Sequence, residues 1–401
     1  MKILMINKFL FPHGGSETYI FNIGKQLQSL GHEVQYFGME HAGMVVGNDV
    51  QQYTQEMDFH NGTLLSKAAY PIKTIYSFEA RKKLRIVLDD FQPVIIHLNN
   101  FNYQLTPSII VEIRKWEKTA GQTCRIIYTA HDYQLVCPNH MFADMNGNIC
   151  QDCLTGNFQS CLKKQCIHGS LMKSFIGMEE AEYWNRRNIY REIDAVICCS
   201  EFMKTILDHK SFFKGKTIAL HNFVDAEEKT DAEHDDYVLY FGRFAKEKGI
   251  ETLLKVCARM PDKRFVFAGS GPMEDLIRNQ QNVDFRGFVK GDELVSLISH
   301  AAVTVYPSEW FENCPFSVIE SQIYGTPVIA SDIGGIPELI RNHETGILFE
   351  SGNEEQLFRT ITDFFEDKEL QERFYENCRN VKFDNCRTYT EKLLEIYKGG
   401  M

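Results

Sequence analysis

Pro307-Ser308-Glu309-Trp310-Phe311-Glu312-Asn313-Cys314-Pro315-Phe316-Ser317-Val318-Ile319-Glu320, continued after a short gap by Gly325-Thr326-Pro327-Val328-Ile329-Ala330-Ser331-Asp332-Ile333-Gly334-Gly335-Ile336-Pro337-Glu338, is the stretch that decides the fold. Ahead of it, Ala302–Tyr306 is a short apolar run and reads as a buried strand. Pro315 suits the first turn of a helix, and Phe316–Tyr324 has helical spacing. Val328–Ala330 then reads as the next strand. Strand, loop, helix, strand is the repeating unit of a parallel sheet. Glu312 falls in the loop and Glu320 inside the helix, eight positions apart. Both carboxylates can then accept hydrogen bonds from a polar ligand, the first near the helix start and the second roughly a turn deeper.

The same alternation runs through the rest of the chain. Lys2–Asn7, Glu33–Phe37, Val94–Leu98, Arg125–Ala130, Ala195–Cys199 and Thr217–Leu220 read as strands, with helical spacing over Ser16–Leu30, Pro107–Lys118 and Leu171–Ile193. The pattern then restarts with strands at Tyr237–Gly242, Arg264–Ala268 and Val283–Phe285, interleaved with helices at Gly249–Arg259, Met273–Gln280 and Asp292–His300. Between the halves, Ala226–Asp236 holds seven charged residues and no large apolar side chain, which is a linker composition. The expected fold is therefore α/β: two Rossmann-like domains with parallel sheets facing a central cleft. Parallel sheets bind ligands at the carboxyl ends of their strands. The expected boundaries are 1–222 and 223–384, with a C-terminal helix at about 385–399.

Composition narrows the class. At 401 residues, 44% hydrophobic and 24% charged, the chain is an ordinary globular protein of two or three domains. It has no run of eighteen apolar residues, and Ile3-Leu4-Met5-Ile6 is too short for a signal peptide. A cytoplasmic location is expected, with most of the 12 cysteines reduced or ligating metal. The net charge of −11 argues against nucleic-acid binding. It is uneven: residues 1–225 hold 23 Lys and Arg against 22 Asp and Glu, and the remainder is acidic. The basic runs Arg81-Lys82-Lys83-x-Arg85 and Lys163-Lys164 are either solvated helix faces or contacts for an anionic membrane or phosphorylated acceptor.

Two loops offer phosphate chemistry. Gly14-Gly15 follows the first strand and opens a helix, where free N–H groups can meet an anion. The Gly-x-Gly-x-x-Gly spacing of a dinucleotide site is absent, and a simple tight turn is the alternative. In Gly242-Arg243-Phe244-Ala245-Lys246-Glu247-Lys248-Gly249, a strand ends and a helix begins. Arg243 and Lys248 then stand at a strand's carboxyl end, where a diphosphate needs cations, and Lys246 faces solvent.

These features together resemble the family 4 retaining glycosyltransferases of the GT-B fold. The resemblance rests on Gly242-Arg243 with Glu247-Lys248-Gly249, Ala268-Gly269-Ser270-Gly271-Pro272, Gly287-Phe288-Val289, the Glu312/Glu320 pair and Gly325–Ala330. A weaker N-terminal part covers Gly14-Gly15, His131-Asp132, Ser200-Glu201-Phe202 and His221-Asn222-Phe223-Val224-Asp225. The resemblance implies that Arg243 and Lys248 hold the donor diphosphate. It implies that Glu312 and the backbone of Asn313, Cys314, Pro315 and Phe316 bind the sugar hydroxyls, and that Glu320 binds the ribose. Gly287, Phe288 and Val289 would face the nucleobase, His131 the transferred sugar, and Gly15 the phosphate or acceptor. The implied catalytic set is His131, Arg243, Lys248 and Glu312, with no metal and no separate general base: the leaving phosphate oxygen takes the acceptor proton. The C-terminal helix would return to the first domain.

The implied donor is a nucleoside diphosphate sugar, UDP- or GDP-linked. The implied acceptor is a glycan or lipid-linked hydroxyl in capsule, exopolysaccharide or lipopolysaccharide synthesis, reached by peripheral contact with the inner membrane face. The alternatives are a catalytically silent GT-B subunit or another sugar-nucleotide enzyme such as an epimerase. One segment departs from the plain family pattern. Between about 137 and 168, five cysteines include Cys150-x2-Cys153 and Cys161-x4-Cys166, spacings that suit a closed structural zinc site. Reduced thiols, disulfides and an iron–sulfur cluster are the alternatives. Cys137, His140 and His168 are reserve ligands, and the insert, which follows His131, is placed to shape an acceptor site.

Overall fold

The computed structural model of the chain describes residues 1–56, 72–225 and 232–400. Most of the expected linker, residues 226–231, lies outside the described residues. The chain divides into two compact units, one of residues 1–220 with 386–401 and one of residues 221–385.

The first unit carries a parallel sheet of β1 (Lys2–Ile6), β2 (Glu33–Phe37), β3 (Ile95–Leu98), β4 (Arg125–Ala130), β5 (Ala195–Cys198) and β6 (Thr217–Ala219), in the order β2-β1-β3-β4-β5-β6. Ile3 lies opposite Val34 on one side and Ile95 on the other. Ile3, Leu4, Met5 and Ile6 are all buried, as expected for a parallel strand covered on both faces. The second sheet is built the same way from β7 (Tyr237–Arg243), β8 (Arg264–Ser270), β9 (Val283–Gly287), β10 (Val303–Tyr306), β11 (Val328–Ser331) and β12 (Gly346–Phe349), in the order β12-β11-β10-β7-β8-β9. Strand order reverses beside β1 in the first unit, between β1 and β3, and beside β7 in the second, between β7 and β10. A crevice opens at the carboxyl ends of the strands at such a reversal.

Local signals explain the helix ends. Ser77, Ser170 and Ser200 accept the N–H groups of Ala80, Lys173 and Met203 at the starts of helices Phe78–Phe91, Leu171–Arg186 and Glu201–Asp208. The helical spacing expected over Leu171–Ile193 stops at Arg186. Asn188 takes a left-handed conformation, φ 51°, and a short 3-10 turn then drops Ile189 and Tyr190 into the core. The last helix, Cys386–Lys398, packs on helix Gly15–Ser29 through a buried polar chain. The Tyr19 hydroxyl meets Thr129 Oγ1 at 3.2 Å and Tyr389 at 3.1 Å, and the His97 ring joins Thr129 at 2.7 Å and Tyr397 at 2.6 Å. No helix among the described residues is long and apolar enough to cross a membrane.

Candidate active site

In the second unit the expected donor residues come from loops at the carboxyl ends of β7, β9 and β10. The loop after β7 turns through the 3-10 segment Lys246–Lys248 into helix Ile250–Arg259. Gly249 makes that turn at φ +71°, and a Cβ there would stand 1.8 Å from the Pro307 carbonyl oxygen. The loops after β7 and β10 are therefore pressed together, and Glu309 N–H donates to Glu247 O at 2.9 Å. A residue larger than glycine would force them apart and move Lys248.

Lys248 and Glu312 meet directly. The ammonium donates to Glu312 Oε1 and to the Tyr306 hydroxyl at 3.3 Å, and lies over the rings of Trp310 and Tyr306. The same carboxylate oxygen accepts from Tyr306 at 2.9 Å, Ser308 at 3.0 Å and Trp310 Nε1 at 2.6 Å. A buried carboxylate with this many donors on one oxygen is fixed in one orientation. Its second oxygen, Oε2, has no hydrogen bond among the described residues, which leaves it available to a ligand hydroxyl. Gly334, at φ +62°, presses on the Glu312 backbone: a Cβ would stand 2.4 Å from Glu312 O. Gly335 N–H donates to that oxygen at 2.8 Å. The loop after β11 therefore braces Glu312 from behind.

The other residues expected on the donor side lie in the same unit. Arg243 is exposed at the end of β7, its guanidinium 3.9 Å from Glu247, and Lys246 is exposed as expected. Pro315 precedes helix Phe316–Ile323, and the buried Cys314 accepts Asn222 N–H on its sulfur at 3.2 Å. Glu320, within that helix, makes no side-chain hydrogen bond or ion pair among the described residues, and burial pushes its carboxyl up to about 7. Past Gly287, Phe288 is 75% exposed while Val289 is buried. An exposed aromatic ring at a strand's carboxyl end is a ready stacking face. His221 Nε2 lies 2.8 Å from Glu338 Oε2, a contact spacing alone did not suggest.

The first unit positions His131 at the end of β4. Its Nε2 is 2.9 Å from Asn99 Oδ1, and Tyr19 meets the ring edge-on. Burial lowers the imidazole to about 4, partly offset by Asp132, so the ring is neutral at neutral pH. With Asn99 Oδ1 as acceptor, Nε2 carries the proton and Nδ1 is an acceptor. Burial opposes ionisation of Asp132, but His140, Lys8 and the Gln134 N–H hold its carboxyl below the usual range. Gly15 opens helix Gly15–Ser29, and Asn100 N–H and Nδ2 join Asn7 Oδ1 and Ser16 Oγ across the strand-order reversal at 3.0 and 3.1 Å.

The cysteine-rich insert folds as a small satellite of the first unit. Cys153, Phe158, Cys161 and Ala181 form its core, with Cys166 packed against them. Cys161 and Cys166 bring their sulfurs to 2.7 Å, while Cys150 takes the Lys164 ammonium at 3.2 Å. Among the described residues, no group of three or more His, Cys, Asp or Glu side chains is placed to hold a metal ion. The four expected ligands thus share one neighbourhood without being arranged as a tetrahedral set. All 12 cysteines are free.

Comparison with known proteins speaks to the family and the fold. Residues 13–228 match the profile of Glycosyltransferase Family 4, and residues 224–381 that of Glycosyl transferases group 1. A Klebsiella pneumoniae protein described as an uncharacterized 42.6 kDa protein in the cps region is 24% identical over 361 residues, covering 85% of this chain and 88% of its own. The alpha-D-kanosaminyltransferase of Streptomyces kanamyceticus is 27% identical over 48% of this chain and 57% of its own. Among solved structures, Anabaena HepE in complex with UDP superposes with a TM-score of 0.67 at 17% identity, covering all of both chains. The lipopolysaccharide outer core galactosyltransferase WaaB does so with 0.62 at 16% identity, also over both full chains.

Proposed function

Since the chain belongs to glycosyltransferase family 4 of the GT-B fold, we propose that it transfers a sugar from a nucleoside diphosphate sugar to an acceptor hydroxyl with retained anomeric configuration. The observation that carries this reading is the Lys248–Glu312 pair at the strand-order reversal of the second unit. Lys248 holds the donor diphosphate together with Arg243. Glu312 holds Lys248 through Oε1 and takes a sugar hydroxyl on Oε2. Glu320 accepts from the ribose, and Phe288 stacks on the base.

In the transfer, the bond from the anomeric carbon to the phosphate oxygen breaks and a bond to the acceptor oxygen forms on the same face. The acceptor proton passes to the departing phosphate oxygen. Negative charge grows on the diphosphate, so cations already in place are the main catalytic contribution. From the resemblance alone, His131 is assigned a hydrogen bond to the transferred sugar. No step of this scheme uses a metal.

The acceptor is a hydroxyl of a lipid-linked or growing surface glycan, a reading supported by the cps-region relative. It is met at the cytoplasmic face of the membrane. UDP-linked sugars are the first donors to test, because HepE was solved with UDP and with UDP-glucose. We propose further that the insert takes a structural zinc on Cys150, Cys153, Cys161 and Cys166: Cys153, Cys161 and Cys166 share one satellite core, and Cys150, now beside Lys164, would have to turn toward them.

Thermal-shift screening of UDP- and GDP-linked sugars tests the reading. A donor at 100 times its dissociation constant stabilises by about 2.7 kcal/mol. The stabilising sugar should then be slowly hydrolysed by the purified protein. Binding without any hydrolysis or transfer would favour a catalytically silent subunit.

A further inference from the structure

The segment that carries Glu312 has no hydrogen-bond ladder of its own. Between β10 and helix Phe316–Ile323, residues 307–315 are neither helix nor strand. The backbone groups of such a segment are satisfied from outside, and those contacts decide where it stands. Two of its carbonyl groups are taken in this way. Gly335 N–H donates to Glu312 O at 2.8 Å, and Asn222 Nδ2 donates to Cys314 O at 2.9 Å. Asn222 N–H also donates to Cys314 Sγ at 3.2 Å, so one residue grips Cys314 twice from 92 positions away.

The two grips are joined to each other. His221 Nε2 lies 2.8 Å from Glu338 Oε2, and a carboxylate only accepts, so Nε2 donates. Gly335 and Glu338 belong to one tight turn: Ile336–Glu338 is a 3-10 segment, Glu338 N–H reaches Gly335 O at 3.3 Å, and Ile336 is buried. The path from Asn222 to Cys314, along the chain to Glu312, across to Gly335, round the turn to Glu338 and back through His221 is a closed circuit. Val224 anchors it, donating its N–H to Asp384 O at 3.1 Å, and Phe223 beside it is buried. These contacts do little for folding. His221 and Glu338 are partly exposed, and such pairs contribute little. Asn222 is buried while its Oδ1 has no hydrogen bond among the described residues, which opposes folding. What the circuit does fix is the position of Glu312, which in turn holds Lys248.

We propose that Asn222 and His221 are positioning residues that fix the Glu312–Cys314 segment in its working geometry. Asn222 acts through Cys314, and His221 acts through Glu338 and Gly335. The use made of that geometry rests on the donor site proposed above, whereas the circuit itself is read without any donor. A displacement of about 1 Å at a reacting group can cost roughly 10² in rate. Glu320, inside the following helix, lies outside the circuit. Loosening the circuit should therefore lower turnover more than it weakens nucleotide binding.

The test is hydrogen exchange of the full chain without donor, read by mass spectrometry over residues 309–316 and 333–339, whose Glu309 and Gly335 N–H groups are hydrogen-bonded in the parent protein. Exchange over both segments should quicken severalfold in Asn222→Ala and in His221→Ala. A glutamine can still offer an N–H to Glu338, so His221→Gln should keep the parent pattern. On the same preparations, turnover in His221→Ala should fall about tenfold and UDP affinity by less than about twofold, with the melting temperature close to the parent's. His221→Gln should restore the rate. His221 is partly exposed, so His221→Ala serves if Asn222→Ala does not fold. Parent-like exchange over 309–316 in folded His221→Ala would overturn the inference. So would quickened exchange with unimpaired turnover. The expected exchange pattern in a protein that neither binds nor hydrolyses any nucleotide sugar would support the circuit and overturn the donor reading alone.

Discussion

Lys248 donates to Glu312 Oε1 across 64 residues of chain, and that oxygen also accepts from Tyr306, Ser308 and Trp310. The carboxylate is thereby an anchor as much as a ligand-binding group: it fixes where the ammonium points before any donor arrives. Trp310→Phe removes one of the donors at 2.6 Å while keeping the ring beneath the ammonium. A hydrogen bond to a charged group contributes about 1.5–3 kcal/mol. Turnover in Trp310→Phe should fall by roughly tenfold or more, with donor affinity changed less, because Lys248 is held less firmly when the diphosphate leaves. Parent-like turnover in a steady-state assay would show that the anchor is dispensable.

Glu320 carries a pH signature. Burial raises its carboxyl from 4.5 to about 7, and a ribose hydroxyl binds the ionised form. Nucleotide affinity should therefore rise as pH climbs through about 7 and flatten above it. Glu320→Ala should weaken binding by about 1.5–3 kcal/mol at high pH and lose that titration. Calorimetry of UDP and GDP binding on both sides of neutrality decides it. A parent and variant with the same pH profile would take Glu320 out of the site.

Glu180 makes a prediction about stability. It is buried in helix Leu171–Arg186, its Oε1 has no hydrogen-bond partner, and burial raises its carboxyl from 4.5 to about 8. The folded state keeps the proton while the unfolded chain loses it. Stability is therefore lost progressively as pH rises from 4.5 to about 8. Glu180→Gln should flatten that slope and gain on the order of 2 kcal/mol at alkaline pH relative to acid. Denaturant unfolding of both proteins across this range measures it, and parallel profiles would contradict the assignment.

The fold was largely legible because strands of a covered parallel sheet are short apolar runs, and Glu33–Phe37 and Arg125–Ala130 fall where those runs predict. Several helices were not: Phe78–Phe91, Glu354–Glu366 and Lys368–Arg379 are rich in charge that masks their narrow apolar stripes, and Gln159–Lys163 and Glu201–Asp208 are short. The edge strand Gly346–Phe349 has only four residues, two of them half-buried, too few for a periodic signal. Within the site, Glu312, Glu320 and Lys248 stand out by spacing and position. The convergence of Tyr306, Ser308 and Trp310 on one oxygen depends on loops meeting through Gly249 and Gly334, which no local pattern reports. His131 was visible, but its neutrality follows from burial and is a property of the folded chain.

The insert should contain zinc when the protein is purified without added metal. Cys150→Ser together with Cys153→Ser should release it and lower the melting temperature, because metal binding and folding are coupled at a structural site. Elemental analysis reads the outcome. Absence of stoichiometric zinc in the parent protein would leave the insert as a cluster of reduced thiols packed around Phe158.

The central claim is that Lys248 stabilises charge that develops as the sugar leaves. It is tested most directly by single-turnover transfer, or donor hydrolysis, in Lys248→Ala, with donor affinity measured on the same preparation. Such groups interact more strongly with the transition state than with the bound donor. The rate should fall by about 10²–10³, donor affinity by far less, and the melting temperature should be close to that of the parent protein. A near-normal rate in the folded variant, or a loss confined to donor affinity, would contradict the account.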